Sequence, residues 1–162
     1  MRVVIVRHAK AGKRSSWEHE DFDRPLDQTG IKQAREIAEL FKNCAVTALF
    51  SSPYKRCVET LDPLGSALGL EVKLDDRLVE NTTFVALQSF LLSLDENGFY
   101  VACTHGNVAP ELVEILIGSK IERVGAPLRC AKGSVWDIEV VKGRVEAISY
   151  QENSSKTVYI EH

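Results

Sequence analysis

Short apolar runs alternate with amphipathic stretches along this chain. Val3 to Val6 is an unbroken β-branched run, and Val46 to Ser51 and Phe99 to Thr104 repeat it, predicting strands buried on both faces. Between them the apolar period lengthens. Ala34, Ile37, Ala38 and Phe41 fall at i, i+3, i+4 and i+7, giving one apolar stripe on a helix from about Gly30 to Asn43. Ser52 and Pro53 suit the N-cap and first position of a second helix carrying Tyr54, Val58 and Leu61; Pro63 should break or kink it, and Gly69 should end it. Further helices are expected from about Thr83 to Glu96, closed by Gly98, and from about Val108 to Ile117. Trp136, Ile138 and Val140 alternate with Asp137 and Glu139, and Lys142-Gly143 turns the chain into a segment reaching Tyr150, which reads as a hairpin. The pattern predicts an α/β fold: a three-layer sandwich with a mainly parallel central sheet, helices on both faces and an antiparallel C-terminal strand or hairpin. With no Ser/Gly linker, low-complexity tract or repeat, residues 1–162 are expected to form a single domain.

Composition narrows the function classes. The 162 residues are 44% hydrophobic, enough for a continuous core without metals or crosslinks. Twenty basic against 23 acidic residues give a formal charge of −3, so no general attraction to nucleic acid or to an anionic membrane is expected, and any anion site must be local. Charge does gather locally. Residues 1–14 hold Arg2, Arg7, Lys10, Lys13 and Arg14 and no acid, whereas Glu18, Glu20, Asp21 and Asp23 follow closely. The apolar start is too short for a signal peptide and no later run approaches a membrane span, so a cytoplasmic protein is expected. Cys44, Cys57, Cys103 and Cys130 are widely spaced without a Cys-x-x-Cys, and read as free thiols.

Three polar motifs fall at equivalent places. Arg7-His8 follows the first strand, Ser51-Ser52-Pro53-Tyr54-Lys55-Arg56 the second, and His105-Gly106-Asn107 the strand ending at Thr104. In an open α/β sheet, ligands bind at the carboxyl ends of strands, where helix N-termini also point free N–H groups. Taken singly, His8 or His105 reads as a structural histidine and Arg56 as a surface arginine; Arg7 is more informative, because a charge at the end of so apolar a strand is costly to bury unpaired. Taken together, two guanidiniums can grip the non-bridging oxygens of a phosphoryl group, a neutral imidazole can attack phosphorus, and a second imidazole can donate to an equatorial oxygen. A proton must also reach the leaving atom. This chemistry calls for no metal and no cofactor.

Val6-Arg7-His8-Ala9-Lys10, Asp23-Arg24-Pro25-Leu26 with Gly30, Ser51-Ser52-Pro53 with Arg56 and Thr60, and Thr104-His105-Gly106 resemble, in order and spacing, the histidine phosphatase superfamily, whose fold is called phosphoglycerate mutase-like. The Arg-His-Ala-Lys start, the Arg-Pro-Leu segment and the short length resemble its SixA branch, which removes phosphate from phosphohistidine on proteins. Lys132-Gly133-Ser134-Val135-Trp136, Arg56-Cys57 and Leu61-Asp62-Pro63-Leu64 also resemble the phosphatase-like domain fused behind a Nudix hydrolase in actinobacterial MutT-type proteins. The resemblance implies that His8 accepts the phosphoryl group and that Arg7, Arg56 and His105 complete the pocket. It further implies a proton-donating role for Glu80, which otherwise reads as a solvated loop carboxylate. Asn107 sits where relatives place a polar residue near the phosphate, and also where it would cap the next helix. Ala9 stands where Gly is usual, as occurs in the SixA type, and Ala11 and Arg14 stand where mutase-like members carry Ser and Asn, which argues against a mutase. The implied partners are a phosphorylated protein or a small phosphorylated metabolite or nucleotide; a non-catalytic phosphate-binding module is the alternative of another class.

Overall fold

The computed structural model describes residues 1–118, 128–152 and 157–160. The elements follow in the order β1 (Arg2–Arg7), α1 (Gln28–Phe41), β2 (Ala48–Ser51), α2 (Lys55–Leu68), β3 (Val72–Leu74), α3 (Phe84–Leu92), β4 (Phe99–Thr104), α4 (Ala109–Ile117), β5 (Val135–Val141), β6 (Arg144–Gln151) and β7 (Thr157–Ile160), with short 3-10 turns at Arg14–Ser16, Asp21–Asp23 and Asp76–Leu78. They build one sheet in the order β3-β2-β4-β1-β5-β6-β7. The pairs β2·β3, β2·β4 and β1·β4 are parallel; β5, β6 and β7 are added antiparallel.

The continuous apolar runs are explained by the two-sided burial of this sheet. In β1, Val4 and Val6 face α1 and α2, where they meet Ile37, Phe41, Leu61 and Leu64. Val3 and Ile5 face the opposite layer with Leu87, Phe90, Leu112 and Trp136. The alternation of side chains along a strand therefore sends every residue of the run into a core. The three-layer α/β architecture expected from the sequence is the one observed, hairpin included: the turn falls at Lys142-Gly143, both at positive φ.

Several element boundaries depart from expectation. The second helix does not begin at Ser52-Pro53: it starts at Lys55 with Tyr54 as N-cap and no side-chain cap bond. Ser52 is unavailable for capping because its hydroxyl is engaged by His105. Nor does Pro63 break that helix, which runs on to Leu68 and ends in the left-handed Gly69. Proline forgoes one backbone bond, and the buried Leu61 and Leu64 on either side of it hold the helix to the sheet. The third helix stops at Leu92 instead of Glu96. The strands β3 and β7 were not foreseen; β3 is three residues long and largely exposed, leaving little apolar pattern to read.

Candidate active site

Strand register assembles the site. Arg7 lies opposite Thr104 in the β1·β4 pair, and Ser51 opposite Cys103 in β2·β4, so the three chains leave the sheet at the same level. The His8 N–H donates to the Thr104 carbonyl at 2.9 Å and the Ser52 N–H to the Cys103 carbonyl at 3.0 Å. Each loop is thereby tied to its neighbour at the point where it departs, which sets His8, Ser52 and His105 side by side.

His8 is almost fully buried. Its Nδ1 lies 2.8 Å from the Ala9 carbonyl oxygen, which can only accept, so Nδ1 carries the proton and Nε2 the lone pair. Burial lowers the ring's pKa to about 3, with Arg56, His105 and Arg7 adding to the effect against the Ala9 bond, so the imidazole is neutral at neutral pH. The residue after it is held as well: the Ala9 N–H donates to Thr60 Oγ1 at 3.0 Å, and the Thr60 hydroxyl donates to the Arg56 carbonyl at 2.6 Å. Thr60 thus couples the His8 loop to the helix that carries Arg56. The His8 and His105 rings meet edge to face, 5.6 Å apart.

The two arginines are fixed differently. Arg7 donates through Nη1 to the Cys130 carbonyl. Its Nε is buried without a hydrogen-bond partner among the described residues. It lies flat over Gly106: a β-carbon there would stand 2.6 Å from Arg7 Cζ and 2.7 Å from Nε, so only glycine permits the approach. The loop at Gly133 closes over the same strand end, its N–H reaching the Arg7 and His8 carbonyls at 3.1 Å each. Arg56 is completely enclosed. Its Nη1 donates to the Asp21 carbonyl at 3.0 Å, and its Nη2 lies 3.0 Å from Glu80 Oε1 and 3.1 Å from Asp21 Oδ2. Two carboxylates therefore offset the cost of burying this guanidinium, and its Nε too has no hydrogen-bond partner among the described residues.

Glu80, left open between catalyst and solvated loop residue, is at the site. Besides Arg56, it meets Arg14 Nη2 at 3.4 Å and His105 Nδ1 at 3.5 Å. Its segment is tethered twice, by the Thr104 hydroxyl on the Leu78 carbonyl at 2.6 Å and by Asn107 Nδ2 on the Glu80 carbonyl. That second bond settles one reading of Asn107: it does not cap α4, whose N-cap is Val108 with no side-chain cap bond. His105 itself is fully buried, with Ser52 Oγ 2.8 Å from its Nε2 and the Tyr54 ring against it at 4.9 Å.

Four contributors, Asp21, Arg14, Ser52 and Tyr54, were named in the sequence without a place in the pocket. Asp21 binds Arg14 and Arg24 as well as Arg56, and these cations outweigh burial to hold its carboxyl below the usual range. Arg14 spans Asp21 and Glu80 at the mouth, whereas Lys10 leans on Asp27 at 3.7 Å. Ser52 and Tyr54 hold His105 and, in the case of Tyr54, also stack beneath Arg56, 4.7 Å from its Cζ. The switch from basic residues 1–14 to acidic residues 18–23 was the available signal for the Arg14 and Asp21 contacts. The four cysteines are free thiols, with Cys57 and Cys103 buried beneath the site. Burial drives the Cys103 thiol well up, so it keeps its proton. Among the described residues no group of His, Cys, Asp or Glu has a metal-holding arrangement, and no helix is long and apolar enough to cross a membrane.

Two guanidiniums, a neutral imidazole with one free nitrogen, a second imidazole and a carboxylate thus meet at the ends of parallel strands, an arrangement whose chemistry suits a phosphoryl group. Comparison with known proteins gives it a family: residues 3–83 match the histidine phosphatase superfamily (branch 1), and the chain belongs to that superfamily. A relative in Mycolicibacterium smegmatis, an 8-oxo-(d)GTP phosphatase, is 30% identical over 160 residues, covering 91% of this chain and 47% of its own. Phosphoserine phosphatase 1 of Hydrogenobacter thermophilus is 30% identical over 81 residues, 49% of this chain and 38% of its own. The chain thus spans about half, or less, of the length of these relatives. The fold is shared with the protein histidine phosphatase SixA, solved with tungstate, at a TM-score of 0.76 and 20% identity over 96% of this chain and 97% of that one.

Proposed function

We propose that this protein is a phosphatase that works through a phosphohistidine intermediate on His8, and that it acts on phosphohistidine in proteins. The observation that carries the reading is the state of the His8 ring, neutral, with its proton committed to the Ala9 carbonyl and Nε2 left free beside Arg7, Arg56 and His105. In the first step Nε2 attacks phosphorus, the bond to the leaving atom breaks, and that atom takes a proton. Glu80, 3.0 Å from Arg56, is the carboxyl group placed to supply it when it enters the step protonated, Asp21 then balancing the Arg56 charge. In the second step water attacks phosphorus as Glu80 takes up its proton, and the P–N bond breaks with its electron pair returning to Nε2, which releases inorganic phosphate and restores His8. Arg7, Arg56 and His105 supply the positive charge and the hydrogen-bond donors for the phosphoryl oxygens, the part often played by a metal ion in other phosphoryl-transfer sites. Asn107 acts indirectly, through the Glu80 backbone.

The protein substrate is favoured by the short connection between His8 and α1, which holds two 3-10 turns, at Arg14–Ser16 and Asp21–Asp23, and no long insertion. A second reading, hydrolysis of a nucleotide, is favoured by the identity to the 8-oxo-(d)GTP phosphatase across 91% of this chain. Phosphate release from a phosphohistidine carrier protein, measured beside release from a panel of nucleoside di- and triphosphates, separates them. Turnover of the carrier at least as efficient as that of any nucleotide supports the first reading; turnover confined to nucleotides overturns it. If neither substrate nor any phosphomonoester is hydrolysed, the chain is a phosphate-binding module and not an enzyme.

A further inference from the structure

We propose that Ser52 is a positioning residue that sets the tautomer of His105, so that His105 presents an Nδ1–H donor to the phosphoryl group. The proposal rests on the phosphatase reading and adds a residue to it. Ser52 and His105 are both fully buried, so the polar atoms of each must find partners inside the protein. Ser52 Oγ lies 2.8 Å from His105 Nε2, and this nitrogen is its one side-chain hydrogen-bond partner among the described residues. The neighbouring hydroxyl is spent elsewhere, Ser51 Oγ donating to the Ser52 carbonyl at 2.8 Å. A buried hydroxyl facing a single ring nitrogen satisfies its proton by donating to it, which makes Nε2 the acceptor and places the ring proton on Nδ1.

The consequence appears on the other side of the ring. Nδ1 lies 3.5 Å from Arg56 Nη2 and 3.5 Å from Glu80 Oε1, and so faces the phosphate-handling groups. With its proton there, His105 donates towards Glu80 or a phosphoryl oxygen and makes no demand on the Arg56 N–H groups, which stay with Glu80 and Asp21. In the other tautomer Nδ1 would turn a lone pair towards the phosphoryl oxygens, removing a donor from the pocket, and would compete with Glu80 for the Arg56 N–H 3.5 Å away. The competing group is Cys57, whose Sγ is 3.7 Å from the same Nε2, within the longer reach of sulfur but a weaker hydrogen-bonding partner than the hydroxyl at 2.8 Å.

The test reads the ring before it reads the rate. Long-range nitrogen–proton correlation spectra of the nitrogen-15-labelled full chain, with His105 assigned by its loss in H105Q, are expected to show an unprotonated Nε2 and a protonated Nδ1 at neutral pH. A protonated Nε2 on a neutral His105 ring would overturn the proposal. S52A is expected to redistribute the proton between the nitrogens and to lower kcat about 10- to 100-fold, with KM changing far less. S52T, which keeps the hydroxyl, is expected to recover most of the loss, and C57A to leave the tautomer as it is. A tautomer that changes in C57A but not in S52A, or an S52A variant with unchanged kcat, would also overturn it. The tautomer is read on the wild-type protein with no substrate to turn over. The expected tautomer in a protein that hydrolyses nothing would therefore count against the phosphatase reading and leave the Ser52–His105 pairing standing.

Discussion

His8 shows how one hydrogen bond and one burial prepare a residue for chemistry. The Ala9 carbonyl fixes which nitrogen is free, and burial keeps the ring neutral by lowering its pKa from 6.5 to about 3. The sign for stability follows from linkage: between these two values the unfolded chain binds a proton that the folded chain refuses. His8 is thus neutral towards stability above about pH 6.5 and increasingly destabilising as the pH falls towards 3. Urea unfolding at a series of pH values should show wild type losing stability over that window and H8Q losing less of it; parallel curves would contradict the burial argument. At Arg56, removing a guanidinium from the phosphate pocket should cost a few kcal/mol in the transition state, so R56A is expected to slow turnover about 100-fold or more. Steady-state kinetics check this, and unchanged kcat/KM would mean that the pocket is misplaced. G106A brings a β-carbon to 2.6 Å from Arg7 Cζ and is expected to lose activity comparably by displacing that side chain. Phosphate turnover at the wild-type rate in G106A would contradict the role of that close approach.

At the scale of elements, the loops matter as much as the helices. Asp27 caps α1 by accepting the Gly30 N–H at 2.9 Å, and its own N–H binds the Lys10 carbonyl at 3.0 Å. The same carbonyl lies against Gly30, where a β-carbon would come within 1.9 Å of it. The start of α1 is thereby the support for the loop that follows His8. D27A is expected to lower stability by about 1 kcal/mol, the usual loss of an N-cap, and G30A to lower both stability and turnover; chemical denaturation and phosphate release are the measurements. The long apolar runs of β1 and β4 and the periodic stripe of α1 were legible because burial on this sheet imposes their pattern. What misled at Ser52-Pro53 was a local signal overruled by a distant one: the hydroxyl fit for a cap is taken by His105, 53 positions away. Pro63 likewise signals a break that packing overrides. That Arg7, His8, Arg56 and His105 come together could be read because they lie at the end of β1, in the first turn of the helix after β2 and just past β4. Asp21 and Arg14 could not be placed, since nothing in local sequence tells that the turn at Asp21–Asp23 folds back over Arg56.

At the scale of the whole molecule, the site depends on three strands leaving one sheet edge in register, with antiparallel β5 closing β1 from the other side. The loop before β5 contributes directly, through the Gly133 N–H on the Arg7 and His8 carbonyls and the Cys130 carbonyl on Arg7. The architecture and membership in the superfamily follow from this arrangement and from the match over residues 3–83. Because the pocket's positive charge comes from side chains, phosphatase activity is expected to persist in excess chelator; its abolition and recovery with an added divalent metal would contradict the proposed chemistry. The central claim is that His8 carries the phosphoryl group during turnover, and rapid-quench labelling tests it most directly. Brief exposure to a phosphorus-32-labelled phosphodonor, followed by peptide mapping, should place an acid-labile, base-stable label on His8 in wild type and none in H8A. Hydrolysis at the wild-type rate in H8A, or label on any other residue of the active protein, would contradict it.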